Sequence, residues 1–165
     1  MALTDPLTGL PNRRAIDIWA VRELRAAARH KFPIWVVISD LDHFKAVNDT
    51  YGHEAGDRVL KGFAELLQTN TRQSNMCARL GGEEFLLVLT HLEQSHAADV
   101  VERIRKQFEK MPFHSNGETF KGTASFGVAG FCGTEPPEFT ALVALADAAL
   151  YLAKGKGRNR VEVAT

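Results

Sequence analysis

Apolar residues along this chain follow two different rhythms, and the switches between them predict its elements. Ile16, Trp19 and Leu24 lie behind Asn12, whose side chain suits a helix cap, so a helix is expected from there to about His30. The run Ile34-Trp35-Val36-Val37-Ile38 is continuous and β-branched instead, which predicts a buried strand from Ile34 to Asp40. A turn of helix is expected over Asp42–Asp49, with Gly52 marking its break. Val59, Leu60, Phe63, Leu66 and Leu67 then repeat at helical spacing on the inward face of a helix from about Ala55 to Thr69. Met76–Leu80 and Phe85–Leu89 read as two strands around a Gly81-Gly82 turn, and Val100, Val101, Ile104 and Phe108 as the core face of a helix over Ser95–Lys110. Asn116-Gly117 is a hairpin signal between Phe113 and Phe131, a segment long enough for a bulge or kink at Gly122. Pro136 and Pro137 suit the entry to a last helix over Phe139–Lys154, and Val161–Val163 predicts a short edge strand.

Helices interleaved with strands that include an antiparallel central hairpin predict an α/β chain. The expected form is an α+β sandwich of the ferredoxin-like or palm type, a central mixed β-sheet with helices on its faces. With 165 residues and 45% hydrophobic content, one good core in a single domain over residues 1–165 is the simplest organisation. Lys plus Arg equals Asp plus Glu at 20 each, so no global field points to a nucleic acid polymer or to direct contact with an anionic membrane. Apolar stretches stop well short of the ~20 residues of a membrane span, and no secretory leader pattern precedes the first motif. A cytoplasmic location is expected for this domain, whether or not a longer chain carries a membrane tether. Cys77 and Cys132 lack a partner at metal-ligand spacing and are expected to be buried, reduced thiols. Among the six histidines only His53 lies within a motif; His30, His91, His96 and His114 are expected at the surface.

Chemistry enters with Arg79-Leu80-Gly81-Gly82-Glu83-Glu84-Phe85, where two adjacent acids follow a glycine turn between apolar segments. Side by side, Glu83 and Glu84 repel unless a cation or water screens them, whereas glycines admit a ligand close to the backbone. A metal-bound phosphate accounts for both features; an exposed acidic hairpin is the plainer alternative. Ser39-Asp40-Leu41-Asp42-His43-Phe44-Lys45 shifts the balance, because it puts a carboxylate at the C-terminal end of the buried strand. Such an acid beside a second one on a neighbouring hairpin is a common construction for a Mg²⁺ site in nucleotide chemistry.

Together these two segments resemble the GGDEF family, the diguanylate cyclases. Thr4-Asp5-Pro6-Leu7-Thr8-Gly9-Leu10-Pro11-Asn12-Arg13-Arg14 is similar to that family's entry, and Lys154-Gly155-Lys156-Gly157-Arg158-Asn159-Arg160 to its exit. The resemblance implies a palm-type nucleotidyl cyclase fold and Mg-dependent condensation of two GTP into cyclic di-GMP with release of two pyrophosphates, Mn²⁺ being a possible substitute ion. It also implies a homodimer, because a two-fold product requires two GTP-loaded domains facing one another. No dimerising coiled coil is evident here, so the chain is expected to be a catalytic domain excised from a longer protein with an upstream regulatory domain.

The family's functional positions fall on residues of suitable chemistry. Asp40, Glu83 and the carbonyl of Leu41 are the implied metal ligands. Glu84 is a second ligand or the acceptor of the ribose 3′-hydroxyl proton; the sequence leaves open which glutamate takes it. Lys45, Lys154 and Arg158 are the implied phosphate-binding cations, Lys45 standing with Glu83 and Glu84 among the catalytic groups, and backbone amides near His43 and Phe44 would face an anion. Asn48 and Asp57 match guanine-reading positions: a carboxylate accepts from N1–H and the exocyclic amine together, and adenine lacks that N1–H. His53 either matches a substrate-side position or orders the loop at Gly52. Asp42 is expected to cap the short helix.

One window departs from the family. Its product-inhibition site is an Arg-x-x-Asp tetrad, and here it reads Arg72-Gln73-Ser74-Asn75, which keeps the arginine and loses the acid. Weak or absent feedback inhibition is expected, since a charge-assisted hydrogen bond contributes ~1.5–3 kcal/mol. The alternative function is a catalytically silent module that binds GTP or cyclic di-GMP as a receptor, which predicts damage at metal or base-reading positions.

Overall fold

Apolar side chains on both faces of the Ile34–Leu41 strand put it at the centre of the sheet. In the computed structural model, which describes residues 2–165, this strand (β1) is flanked by β3 (Glu84–Thr90) and β6 (Ala124–Phe131), both antiparallel to it. The hairpin mate β2 (Met76–Gly81) forms one edge, and β7 (Val161–Val163), parallel to β6, forms the other. The sheet therefore runs β2-β3-β1-β6-β7 and is mostly antiparallel.

Alternation along β1 supplies two cores. Ile34, Val36 and Ile38 pack under Ile16, Ala20 and Leu24 of α1 (Arg13–His30) and Phe139, Leu142, Ala146 and Leu150 of α5 (Phe139–Gly155). On the other face Val37 and Leu41 meet Val59, Leu60, Phe63 and Leu67 of α3 (His53–Thr69) and Val101, Ile104 and Phe108 of α4 (Gln94–Lys110). Burying each of the larger side chains among these contributes about 1.5–3 kcal/mol. Asn12 caps α1 as expected, accepting from the Ala15 amide at 3.0 Å.

Two close approaches set the height of the helices over the site. A Cβ on Gly127 would fall 2.0 Å from the Ala146 carbonyl oxygen and 2.3 Å from the Leu150 nitrogen, so α5 rests on bare β6 backbone. Lys154 lies one turn beyond Leu150 and is thereby fixed over the end of β1. A Cβ on Gly56 would fall 1.9 Å from Asn48 Oδ1, which brings α2 (Phe44–Tyr51) tightly onto α3.

The Asn116-Gly117 turn forms at φ 51° and 81°, but the hairpin is smaller than the Phe113–Phe131 segment suggested. β4 (Phe113–Ser115) and β5 (Glu118–Phe120) make a separate ribbon, and after Gly122 the chain leaves it to join β1 as β6. The long apolar β6 gains more by central pairing than by extending a ribbon of three-residue strands. Cys77 is buried, and burial pushes its thiol pKa up, whereas Cys132 is exposed, contrary to expectation. Cys132 comes just after the last residue of β6, where the sheet no longer covers the chain.

Candidate active site

Register alone brings the acids together. β1 pairs with β3 so that Asp40 lies directly opposite Glu84, and the Leu41 amide donates to the Glu83 carbonyl at 3.3 Å. Like charges opposite one another on a sheet are destabilising. Asp40 is only 7% exposed; its Oδ2 accepts from the Lys154 ammonium, while its Oδ1 is buried without a partner. Burial first, then the Asp40 charge and the hydrogen bond that a protonated Glu83 would donate to Asp40, push the Glu83 pKa above the ordinary glutamate value, and Lys154 offsets only part of this. Glu84 is raised too, by burial and then by the charges of Asp40 and Asp147, against partial relief from Lys154 and Arg13.

A lone buried acceptor and two reluctantly ionised carboxylates favour the arrival of positive charge. By that test the residues fit a hard divalent cation. Among the described residues no three His, Cys, Asp or Glu side chains are gathered closely enough to hold an ion by themselves. Backbone carbonyls, water and phosphate oxygens would complete a shell, as ions of the magnesium type allow.

The Gly-Gly turn is held by a clamp that sequence reasoning missed. Gly81 and Gly82 have φ of 145° and 50°, the second a left-handed value that glycine adopts without strain. Arg79 donates from Nε and Nη2 to the Gly82 carbonyl at 3.0 and 2.8 Å, and from Nη1 to Asp5 at 3.2 Å. Asp5 Oδ2 also accepts from the amide and hydroxyl of Thr8, at 2.9 and 2.7 Å. Burial opposes ionisation of Asp5, but the Thr8 bonds and the Arg79 charge outweigh it and lower its pKa. The signal was available in Asp5-Pro6-Leu7-Thr8-Gly9, a side-chain turn pattern whose carboxylate keeps acceptor capacity to spare.

Asp42 does not cap α2. Strand β1 runs on to Leu41, His43 takes the cap position at φ 55° without a side-chain bond, and the buried Asp42 carboxylate turns toward β6 instead. There it accepts from Thr123 Oγ1 and Ser125 Oγ, each at 2.7 Å, and from the Asn159 amide at 3.0 Å. The first α2 bonds run from the Ala46 and Val47 amides to the His43 carbonyl, so the Phe44 and Lys45 amides precede the helical ladder. Phe44 is buried and Lys45 exposed. Asn48 is half-buried over Gly56 at the α2–α3 contact, and Asp57, the next residue of α3, is exposed. His53 opens α3 and is exposed. Arg158 is exposed at φ 64° just beyond α5. Arg72 and Asn75 lie apart from all of these, at the opposite end of the β2–β3 hairpin from the glycine turn. Concavities of about 480 and 370 Å³ flank the β4–β5 ribbon, and neither includes Asp40 or Glu83.

The profile described as "Diguanylate cyclase, GGDEF domain" matches residues 2–160. The chain belongs to the GGDEF family. Similar GGDEF relatives include diguanylate cyclase DgcP of Pseudomonas aeruginosa, 44% identical over 163 residues covering 99% of this chain and 24% of that protein. Diguanylate cyclase DosC of Escherichia coli is 41% identical over 160 residues, covering 96% of this chain and 34% of that one. The chain thus spans a quarter to a third of the length of these curated relatives. Among solved structures, the GGDEF domain of DgcB from Caulobacter crescentus in complex with c-di-GMP superposes with TM-score 0.93 at 35% identity, covering 99% of this chain and 96% of that one. Diguanylate cyclase SiaD with its activator SiaC, from Pseudomonas aeruginosa, gives 0.92 at 39%, covering 99% and 62%. Both the predicted resemblance and the palm-like sandwich are thereby established for this GGDEF domain. Its own glycine turn reads Gly-Gly-Glu-Glu-Phe, with glutamate at the third position.

Proposed function

We propose that this domain is the catalytic unit of a diguanylate cyclase that condenses two GTP molecules across a homodimer. The observation that carries the proposal is the unpartnered Asp40 oxygen beside Glu83 and Glu84, three acids crowded at a strand end with too little positive charge. Asp40, Glu83 and the Leu41 carbonyl would hold Mg²⁺, or Mn²⁺ in its place. When bound, such an ion neutralises charge on the triphosphate and lowers the pKa of an attacking hydroxyl.

In each half-reaction the 3′-oxygen of one GTP attacks the α-phosphorus of the GTP on the facing domain. The bond to the bridging oxygen breaks, pyrophosphate leaves, and the hydroxyl proton passes to a glutamate of the pair. Glu83 or Glu84 would be that acceptor. Lys45, Arg158 and the Phe44 and Lys45 amides hold phosphate oxygens, and Lys154 exchanges Asp40 for one of them. Asn48 and Asp57 read the guanine edge, and His53 lies on the substrate side.

Two copies repeating this step on opposite strands of the product yield cyclic di-GMP. Its feedback is weak because Asn75 spends its carbonyl oxygen on the Thr90 amide at 2.9 Å, leaving an amino donor to meet donors on a guanine edge. Arg72 keeps its charge there, beside Arg103 in the same concavity, but no carboxylate joins them.

The experiment incubates concentrated protein with GTP and Mg²⁺ alongside Glu83→Ala and separates the nucleotides. Cyclic di-GMP and pyrophosphate from wild type only, with little slowing by added product, is the expected result. Intact GTP binding without product, even under enforced dimerisation, would move the domain to the receptor class.

A further inference from the structure

The end of the chain leaves α5 through two consecutive non-glycine residues in left-handed conformation, Arg158 at φ 64° and Asn159 at φ 48°. That backbone is disfavoured for L residues and persists only where the surroundings over-determine it. Here they do. The Arg158 amide donates to Ala153 O at 2.9 Å, and the Asn159 amide donates to both Asp42 Oδ2 and Ser125 Oγ, at 3.0 and 3.1 Å. The Asn159 side chain is gripped from the opposite side: Oδ1 accepts from Arg105 Nη1 at 2.8 Å, and Nδ2 donates to Glu109 at 2.5 Å. Arg105 is itself fixed by Glu102, one turn away on α4. Beyond Asn159, Arg160 O accepts from the Phe126 amide at 2.9 Å just before the chain enters β7.

A strut thus runs from α4 through Asn159 to Asp42, Thr123 and Ser125 at the open ends of β1 and β6. The strut has a directional consequence. Lys154 is fastened to Asp40 and Asn159 to Asp42, so both basic arms of the exit segment are delivered to the same end of the same strand. Arg158 itself has no side-chain bond of this kind among the described residues. Its placement depends entirely on the backbone on either side of it.

We propose that Asp42 and Asn159 are positioning residues for triphosphate recognition, holding residues 156–160 in the conformation that presents Arg158 to the phosphates. This rests on the reading of Arg158 as a phosphate ligand given above. The Asp42 carboxylate accepts from two hydroxyls and an amide, all within the protein, so Asp42 acts through Arg158 and does not touch the nucleotide.

The test is a double-mutant cycle read by GTP binding in EDTA, where no turnover occurs, and by KM and kcat in Mg²⁺. Asp42→Asn and Asn159→Ala should each weaken GTP binding and raise KM by roughly tenfold, the loss of one or two charge-assisted bonds, with kcat little changed. Combined with Arg158→Ala, neither should weaken binding further. Wild-type binding by both single variants would overturn the proposal, and so would effects that add to Arg158→Ala, since those belong to general destabilisation. Should Asp42→Asn not fold, Asn159→Ala carries the cycle by itself. If Arg158→Ala alone binds GTP like wild type, the phosphate role of Arg158 falls, and the proposal with it, whereas additivity removes the proposal and leaves that role intact.

Discussion

Asp40 and Asp42 stand two residues apart at one strand end and are almost equally buried, at 7% and 8% exposure, yet their surroundings are opposites. Asp42 has two hydroxyls and an amide turned toward it. Asp40 has one flexible ammonium, an orphaned oxygen and two glutamates crowding it. The same residue type is thus spent on cohesion in one place and on unmet electrostatic demand in the other. Protein interiors satisfy buried polar groups almost everywhere, so a single unsatisfied carboxylate oxygen beside like charges is what supports the metal site proposed at Asp40.

Alanine at each position should separate the two roles. Asp40→Ala is expected to lower turnover by about 10³-fold or more, on the scale of losing a preorganised electrostatic group. Its thermal stability should stay within about 1 kcal/mol of wild type, because the change relieves repulsion and leaves Lys154 partly solvated. Asp42→Ala should do the reverse, costing about 3 kcal/mol through three lost hydrogen bonds and lowering Tm by roughly 6–12 °C, with measurable turnover left. A stability loss at position 40 matching that at position 42 would dissolve the contrast. Next in size, Asp57→Ala should cut the preference for GTP over ATP by about a hundredfold, because the guanine N1–H and amine lose their shared acceptor. Competition binding with both nucleotides checks this, and an unchanged ratio would remove Asp57 from base reading.

How much of this was legible beforehand divides along the same line. The elements were readable because long apolar stretches have an unambiguous period: Val59 to Leu67 can only be a helix face, and Ile34 to Ile38 only a buried strand. The acids at Asp40, Glu83 and Glu84 were readable because adjacent like charges at a glycine turn contradict cohesion. Asp42 was misread, since an acid before a short helix satisfies the local capping rule, and the competing donors, Thr123, Ser125 and the Asn159 amide, come from more than 80 residues away in the case of Thr123 and from further still for the others. Arg79 was passed over for the same reason, its partner Asp5 lying 74 residues back. The exposure of Cys132 depended on where β6 ends, and element ends are the least determined by local pattern.

The smallest expected effect is on the pH dependence of folding, and it carries the contrast to a second pair of regions. Glu83 and Glu84 have pKa values raised by burial and by Asp40, so in the folded state they hold protons that the unfolded chain has already released above its ordinary value of about 4.3. Stability from this pair is therefore fully present below that value and is lost as pH rises through the raised folded values. Asp5 has the opposite sign. Its lowered pKa contributes stability above about 3.9, lost as pH falls through the folded value. Glu83→Gln cannot ionise and removes one charge from beside Asp40 and Glu84. Metal-free Glu83→Gln should accordingly match wild type in Tm at pH 4 and exceed it at pH 7.5, while Asp5→Asn should fall below wild type at pH 7.5. Added Mg²⁺ should raise the Tm of wild type at pH 7.5 and that of Glu83→Gln less, because positive charge and the loss of a carboxylate relieve the same repulsion. If Glu83→Gln is instead less stable than wild type at pH 7.5 without metal, Glu83 belongs with Asp42 among the groups that hold the fold together, and the crowding at Asp40 is not what limits the metal-free domain.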